Sequence, residues 1–180
     1  MDRRFCQLVA VLSLAGLASC GAKDERTAIT NLARLTLSST AFADGQPIPA
    51  AFTCDGARRP PPLTWSAPPA SAKSFTLVVD DPDAPGGTFG HWGWYDIPAD
   101  VRSDEQHSRG FQAINDFGRP GYGAPCPQRG APPHHYRFRL YALDVANLDV
   151  GANPRVSEAD YAARKHALAE GLLTGTYQRR

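Results

Sequence analysis

The sequence predicts a single-domain, mainly β protein, an antiparallel sandwich carrying one helix near its C-terminus. Three observations point there. Sixteen prolines and sixteen glycines in 180 residues exceed the usual share and call for many turns between short strands. Several segments alternate apolar and polar residues at the period of two that a half-buried strand requires. Only one segment spaces its apolar residues as a helix does. Apolar residues form 42% of the chain and charged residues 21%, enough for one real core.

The elements follow in order. Leu35-Thr36-Leu37-Ser38-Ser39 alternates and is expected as the first strand. Pro60-Pro61-Pro62 is extended and leads into a short strand, Leu63-Thr64-Trp65. Ser74 to Val79, rich in β-branched and aromatic residues, is expected at the centre of the sheet. His91 to Ile97 is also strand-like, with Trp92 and Trp94 on one face as core residues. The clearest alternation sets Tyr136, Phe138, Leu140 and Ala142 against His135, Arg137, Arg139 and Tyr141, so this strand buries one face. The helix is expected to be capped by Ser157, with Asp160 three residues on in a capping-box-like relation. Tyr161, Leu168 and Leu172 would form its apolar stripe, with Gly171 or Gly175 as its stop. Leu173 to Tyr177 would then return to the sheet. No internal repeat is present.

The N-terminus has a separate logic. Arg3 and Arg4 precede an apolar run from Phe5 to Leu17 and small residues before Cys20. That is the pattern of a secretory signal, and the run is too short to cross ~30 Å of hydrocarbon comfortably. Leu17-Ala18-Ser19-Cys20 looks like a bacterial lipobox, whose cysteine is lipidated and becomes the new N-terminus. A plain signal peptide cut nearby is the alternative. The expected organisation is therefore a signal at 1–19, a flexible tether at 20–33 and the domain at 34–180. This places the protein in the bacterial cell envelope, facing the periplasm and anchored to a membrane through Cys20. Gly21, in place of an acidic residue, favours the outer membrane.

The cysteine count agrees with that compartment. Cys6 leaves with the signal and Cys20 carries lipid, so Cys54 and Cys126 remain where disulfides persist. Their pairing is expected, and it would contribute about 4 kcal/mol in the chain-entropy model. Two buried thiols or a metal site are the alternatives, and no close Cys or His spacing supports a metal. Neither metal nor cofactor is expected. A formal net charge of +1 gives no electrostatic pull toward nucleic acid.

Two loops concentrate unusual residues. The first is Asp80-Asp81-Pro82-Asp83-Ala84-Pro85, followed by Gly90-His91-Trp92. The second is Gly121-Tyr122-Gly123-Ala124-Pro125-Cys126-Pro127, followed by His134-His135-Tyr136. Taken singly, Asp83 is a turn former and His91 a satisfied core histidine. His134 and His135 point to opposite sides of a strand, so at most one faces any given pocket. These residues alone give an extracytoplasmic β-domain with an acidic loop and three histidines, and no function.

Together, Asp81-Pro82-Asp83-Ala84-Pro85, Gly90-His91-Trp92, Gly123-Ala124-Pro125-Cys126-Pro127 and His134-His135-Tyr136-Arg137-Phe138 resemble the signature of the phosphatidylethanolamine-binding proteins. The likeness is to their bacterial Raf-kinase-inhibitor-like branch. Cys54-Asp55-Gly56, Pro62-Leu63-Thr64-Trp65, Asn115-Asp116-Phe117-Gly118 and Tyr141-Ala142-Leu143-Asp144 extend it over about residues 35–177. The resemblance implies a large antiparallel β-sandwich with a C-terminal helix. It also implies a small pocket for phosphate-like anions or phospholipid head groups, formed by Asp81, His91, Pro125, His134 and Tyr136 with the Gly123-Ala124 backbone at its rim. Protonated histidines, the Tyr136 hydroxyl and backbone N–H groups would donate to the anion. Asp81 would orient one imidazole or receive an ammonium. Three departures from the family pattern stand out: Phe89-Gly90 before His91, Ala124 at a position where glycine is common, and Gly93 inside a strand.

The function this implies is a non-enzymatic binding or regulatory module in the envelope. An envelope interaction protein with a vestigial pocket is the second reading, and a hydrolase using His91 or His134 as base is the third. Against the hydrolase, the sequence holds no Gly-x-Ser-x-Gly nucleophile motif and no metal-ligand cluster.

Overall fold

The computed structural model describes residues 32–106 and 108–180, which pack as one compact unit. The expected signal segment, Cys20 and all but the last two residues of the expected tether lie outside the described residues. Eight strands and one helix follow in the order β1 (Ala33–Arg34), β2 (Leu37–Ser39), β3 (Leu63–Trp65), β4 (Ser74–Asp81), β5 (Phe89–Pro98), β6 (Phe111–Gln112), β7 (His134–Leu143), α1 (Val156–His166) and β8 (Ala167–Tyr177). A six-stranded sheet runs β1-β8-β7-β4-β5-β6, and β2 pairs with β3 in a second, two-stranded sheet. All pairs are antiparallel except β1 with β8.

The large sheet separates two apolar layers. On one side Leu77, Val79, Trp94, Phe138 and Leu140 pack against Leu37, Leu63 and Trp65 of the small sheet. Trp92 and Trp94 belong to this core and stack nearly parallel, 6.2 Å apart. On the other side Val78, Tyr95 and Tyr141 meet Val156, Ala159 and Ala163 of α1. The expected central strand is central, and every residue of β4 is buried. Two close approaches seat the helix. A Cβ on Gly90 would lie 2.9 Å from Val156 Cβ, and one on Gly93 would lie 3.3 Å from Val156 Cγ2 as well as 2.8 Å from Ala113 Cβ in the loop after β6. Gly93 therefore marks close packing, and of the two register shifts between β4 and β5 one falls two residues earlier, at His91, and the other lies between Trp94 and Ile97.

The helix differs from expectation at both ends. It starts at Val156 with Arg155 as N-cap, and Glu158 accepts the Arg155 backbone N–H at 2.7 Å. Ser157 thus sits in the first turn, and Asp160 instead bonds Tyr141 and Arg164. The helix ends at His166, so Leu168 and Leu172 belong to β8, and Tyr161 and Leu172 are exposed. The apolar face of α1 is Val156, Ala159 and Ala163. The cause is tertiary: from Ala167 the chain pairs with β7 along its whole length, with Ala169, Gly171, Leu173 and Gly175 as the buried set. That ladder outweighs the local helical spacing. The helix therefore precedes the last strand and is not the last element of the chain.

Cys54 and Cys126 form a disulfide, with Cα atoms 5.3 Å apart across 72 positions.

Candidate functional site

Three adjacent strands deliver the polar residues that the sequence singles out. Asp81 closes β4, His91 lies in β5, and His134 and Tyr136 open β7. All four are buried. They line one cavity of about 310 Å³, together with Phe89, Phe117 and the loop from Cys126 to Gln128.

A register shift explains how His91 reaches it. Val79 pairs with Trp92, but Asp80 pairs with Gly90, so His91 is the extra residue of a β-bulge. Strict alternation would send His91 to the helix side with Gly93, and the bulge re-aims it. Its Nδ1 lies 2.7 Å from the Gly123 carbonyl, and its own carbonyl accepts the Gly123 N–H at 2.7 Å. Burial is the main cause that pushes the His91 imidazole below its ordinary pKa of 6.5, against an opposing pull from the Gly123 hydrogen bond and Asp81.

His134 places its Nδ1 2.7 Å from Asp81 Oδ2, while Asp81 Oδ1 accepts the Asp83 N–H at 2.9 Å. The turn former of this loop is therefore Asp81. Asp83 instead accepts both the backbone N–H and the ring Nδ1 of His135 outside the pocket. As the alternation requires, His134 faces the cavity and His135 faces solvent. Tyr136 is fully buried, and its hydroxyl makes no hydrogen bond of full geometry among the described residues, although it lies near enough to the Asp81 carboxylate for that contact to help raise its pKa. Burial, and secondly the charge of Asp81, raise its pKa.

Gly123 and Pro125 stand behind the wall instead of lining the cavity. Gly123 spends both backbone groups on His91, and the Pro125 carbonyl accepts the Cys54 N–H at 3.0 Å. The Gly123 N–H is thus not a rim donor; Gly123 holds the imidazole. The aromatic side of the cavity was not among the predicted site residues. Phe89 and Phe117 meet edge to face at 4.8 Å, and both contact the His91 ring. Buried Asn115 shapes this loop by accepting the Phe117 N–H and donating to the Gly121 carbonyl. The signal for Phe117 was its place in Asn115-Asp116-Phe117-Gly118. Among the described residues, no group of three or more His, Cys, Asp or Glu side chains is placed to hold a metal ion.

A sequence model of the family described as phosphatidylethanolamine-binding protein matches residues 38–178. The chain belongs to this family. Among phosphatidylethanolamine-binding protein relatives of known structure, YbcL of E. coli superposes with a TM-score of 0.75 at 30% identity, covering 82% of this chain and 100% of that one. CT736 of Chlamydia trachomatis D/UW-3/CX, described as a homologue of the same family, gives 0.74 at 34% identity, covering 82% and 99%. A UPF0098 protein of Aquifex aeolicus is 43% identical over 150 residues, which is 78% of this chain and 86% of that protein. A Mycobacterium tuberculosis relative, LppC, whose name carries a lipoprotein designation, is 43% identical over 147 residues, 80% of this chain and 72% of its own.

Proposed function

We propose that this family member is a non-enzymatic lipoprotein of the bacterial cell envelope, facing the periplasm, with a regulatory role. Its pocket binds small phosphate-like anions or phospholipid head groups. One observation carries the reading: Asp81, His91, His134 and Tyr136, drawn from three strands, converge on a single cavity of about 310 Å³. The Tyr136 hydroxyl beside it makes no well-formed hydrogen bond among the described residues, and a buried hydroxyl so placed gains from a ligand acceptor. A phosphate-like oxygen supplies the missing acceptor. The lipobox-like Leu17-Ala18-Ser19-Cys20 and the designation of LppC support the anchor. The Cys54–Cys126 bridge leaves neither of those cysteines as a thiolate nucleophile, which supports a binding role over a catalytic one.

The test is an NMR titration of residues 34–180 with phosphate, phosphorylethanolamine and acetate, repeated on His91→Ala. Saturable shifts at Asp81, His91, His134 and Tyr136, lost in the variant, are the expected result. No saturable shift at millimolar ligand would sink the proposal.

A further inference from the structure

The hydrogen bonds inside the pocket limit which anions it can accept, and this inference rests on the anion-binding reading above. A carbonyl oxygen only accepts, so the 2.7 Å contact with Gly123 requires the hydrogen of His91 on Nδ1. Asp81 already receives the Asp83 N–H on Oδ1, and its Oδ2 receives Nδ1 of His134 at 2.7 Å. Both imidazoles therefore spend their Nδ1 hydrogens inside the protein, which leaves Nε2 on each. In a neutral ring that atom is an acceptor. The low basicity that burial imposes on His91 keeps its ring in that form at neutral pH.

The surrounding groups do not supply the missing donors. Asp81 lies on β4, with Asp80 on the opposite face of the same strand, where Arg137 and Arg139 are paired to it. Asp116, in the loop after β6, accepts the Gly90 N–H. Tyr122 donates to the Phe52 carbonyl, and Asp83 with His135 forms an exposed pair outside the cavity. Gln128 lines the mouth and is exposed. Among the described residues, the side-chain donor left in the buried part of the cavity is the Tyr136 hydroxyl, which lies beside the Asp81 carboxylate and the His91 ring.

We infer that the pocket selects oxyanions able to carry a proton, hydrogen phosphate and phosphomonoesters, and rejects sulfate and phosphodiesters at neutral pH. A protonated phosphate oxygen donates P–O–H to an Nε2, and its other oxygens accept from Tyr136. Sulfate and a diester offer acceptors alone, so lone pairs face lone pairs in a buried site. A site built to receive a hydrogen bond rejects the analogue that cannot give one. A free phosphomonoester and a lipid head group that ends in one present the same chemistry. A head group still esterified to glycerol does not. A phosphomonoester, with a second pKa of about 6, takes up the proton at modest cost near pH 7. Acidification that protonates His91 turns its Nε2 into a donor, and the selectivity then falls away.

The experiment is calorimetric titration of the purified full chain at pH 7 and at pH 5. The four probes are phosphate, sulfate, phosphorylethanolamine and glycerophosphorylethanolamine. Sulfate matches phosphate in size and so separates the proton from bulk. The two ethanolamine compounds share their ammonium and so isolate the ester. The expected result at pH 7 is at least about tenfold weaker binding of sulfate and of the diester, the size of one mispaired charged hydrogen bond. Phosphorylethanolamine should bind with net proton uptake, seen as a heat that depends on buffer ionisation, and the gap should narrow at pH 5. Equal binding of sulfate and phosphate at pH 7, without proton uptake, overturns the inference and leaves the anion site standing. Failure of all four probes at both pH values removes the anion site and this inference with it.

Discussion

His91 shows how one residue draws its properties from its position. Held by Gly123 in a bulge of β5 and enclosed by Phe89, Phe117 and Tyr136, it resists protonation through burial. The folded state thus binds fewer protons at this site than the unfolded chain, whose histidine titrates near 6.5. Stability rises with pH across that window and falls as pH drops through about 6.5 toward the lowered native value. Urea midpoints of the ligand-free protein between pH 7.5 and 5.5 should show the decline, and His91→Gln should flatten it. A second prediction concerns the residue behind the ring. A Cβ on Gly123 would stand 2.5 Å from the Phe117 ring, so Gly123→Ala should cost about 1–3 kcal/mol and weaken ligand binding by displacing Phe117. An unchanged melting midpoint and affinity would contradict it. Asp81, His134 and Tyr136 were legible in the sequence through the family motifs that carry them, while period two said only that His134 and His135 face opposite sides of their strand. The way His91 reaches the same cavity was not, since a bulge breaks the alternation without a mark in composition.

At the scale of elements, β3, β4, β5 and β7 fall where the alternation and β-branched runs place them. The boundary between α1 and β8 does not, because Leu168 and Leu172 fit a helical stripe as well as a strand. Pairing with β7 decides between them, and that partner is invisible in a local window. The N-cap lies two residues before Ser157 because the cap works through the Glu158 side chain and the Arg155 backbone, with no Ser, Thr, Asn or Asp at that position. Glu158→Ala should destabilise by about 0.5–2 kcal/mol, measured by urea denaturation. The sheet carries a second polar device on its helix side. There Asp80, 4% exposed, pairs with Arg137 and Arg139, and Arg139 also reaches Asp160. Breaking a buried pair leaves an uncompensated charge, so Asp80→Ala should cost about 3–5 kcal/mol. The double variant Asp80→Ala/Arg139→Met should recover part of that loss, and additive losses would refute the pairing as the cause.

For the molecule as a whole, the Cys54–Cys126 bridge joins the segment before β3 to the loop that walls the cavity. The cysteine count anticipated it without any geometry. Reduction should lower stability by about 4 kcal/mol, visible as a shift of the denaturation midpoint with and without dithiothreitol. The same treatment should loosen ligand binding, since Cys126 and Pro127 form one side of the pocket. The outer strands of the large sheet have a different consequence. Both β1 and β6 are two residues long, while the strands between them run from eight to eleven. A neighbouring molecule seeking to extend the ladder meets very few open backbone groups at either border. Short borders of this kind are a known guard against edge-to-edge aggregation.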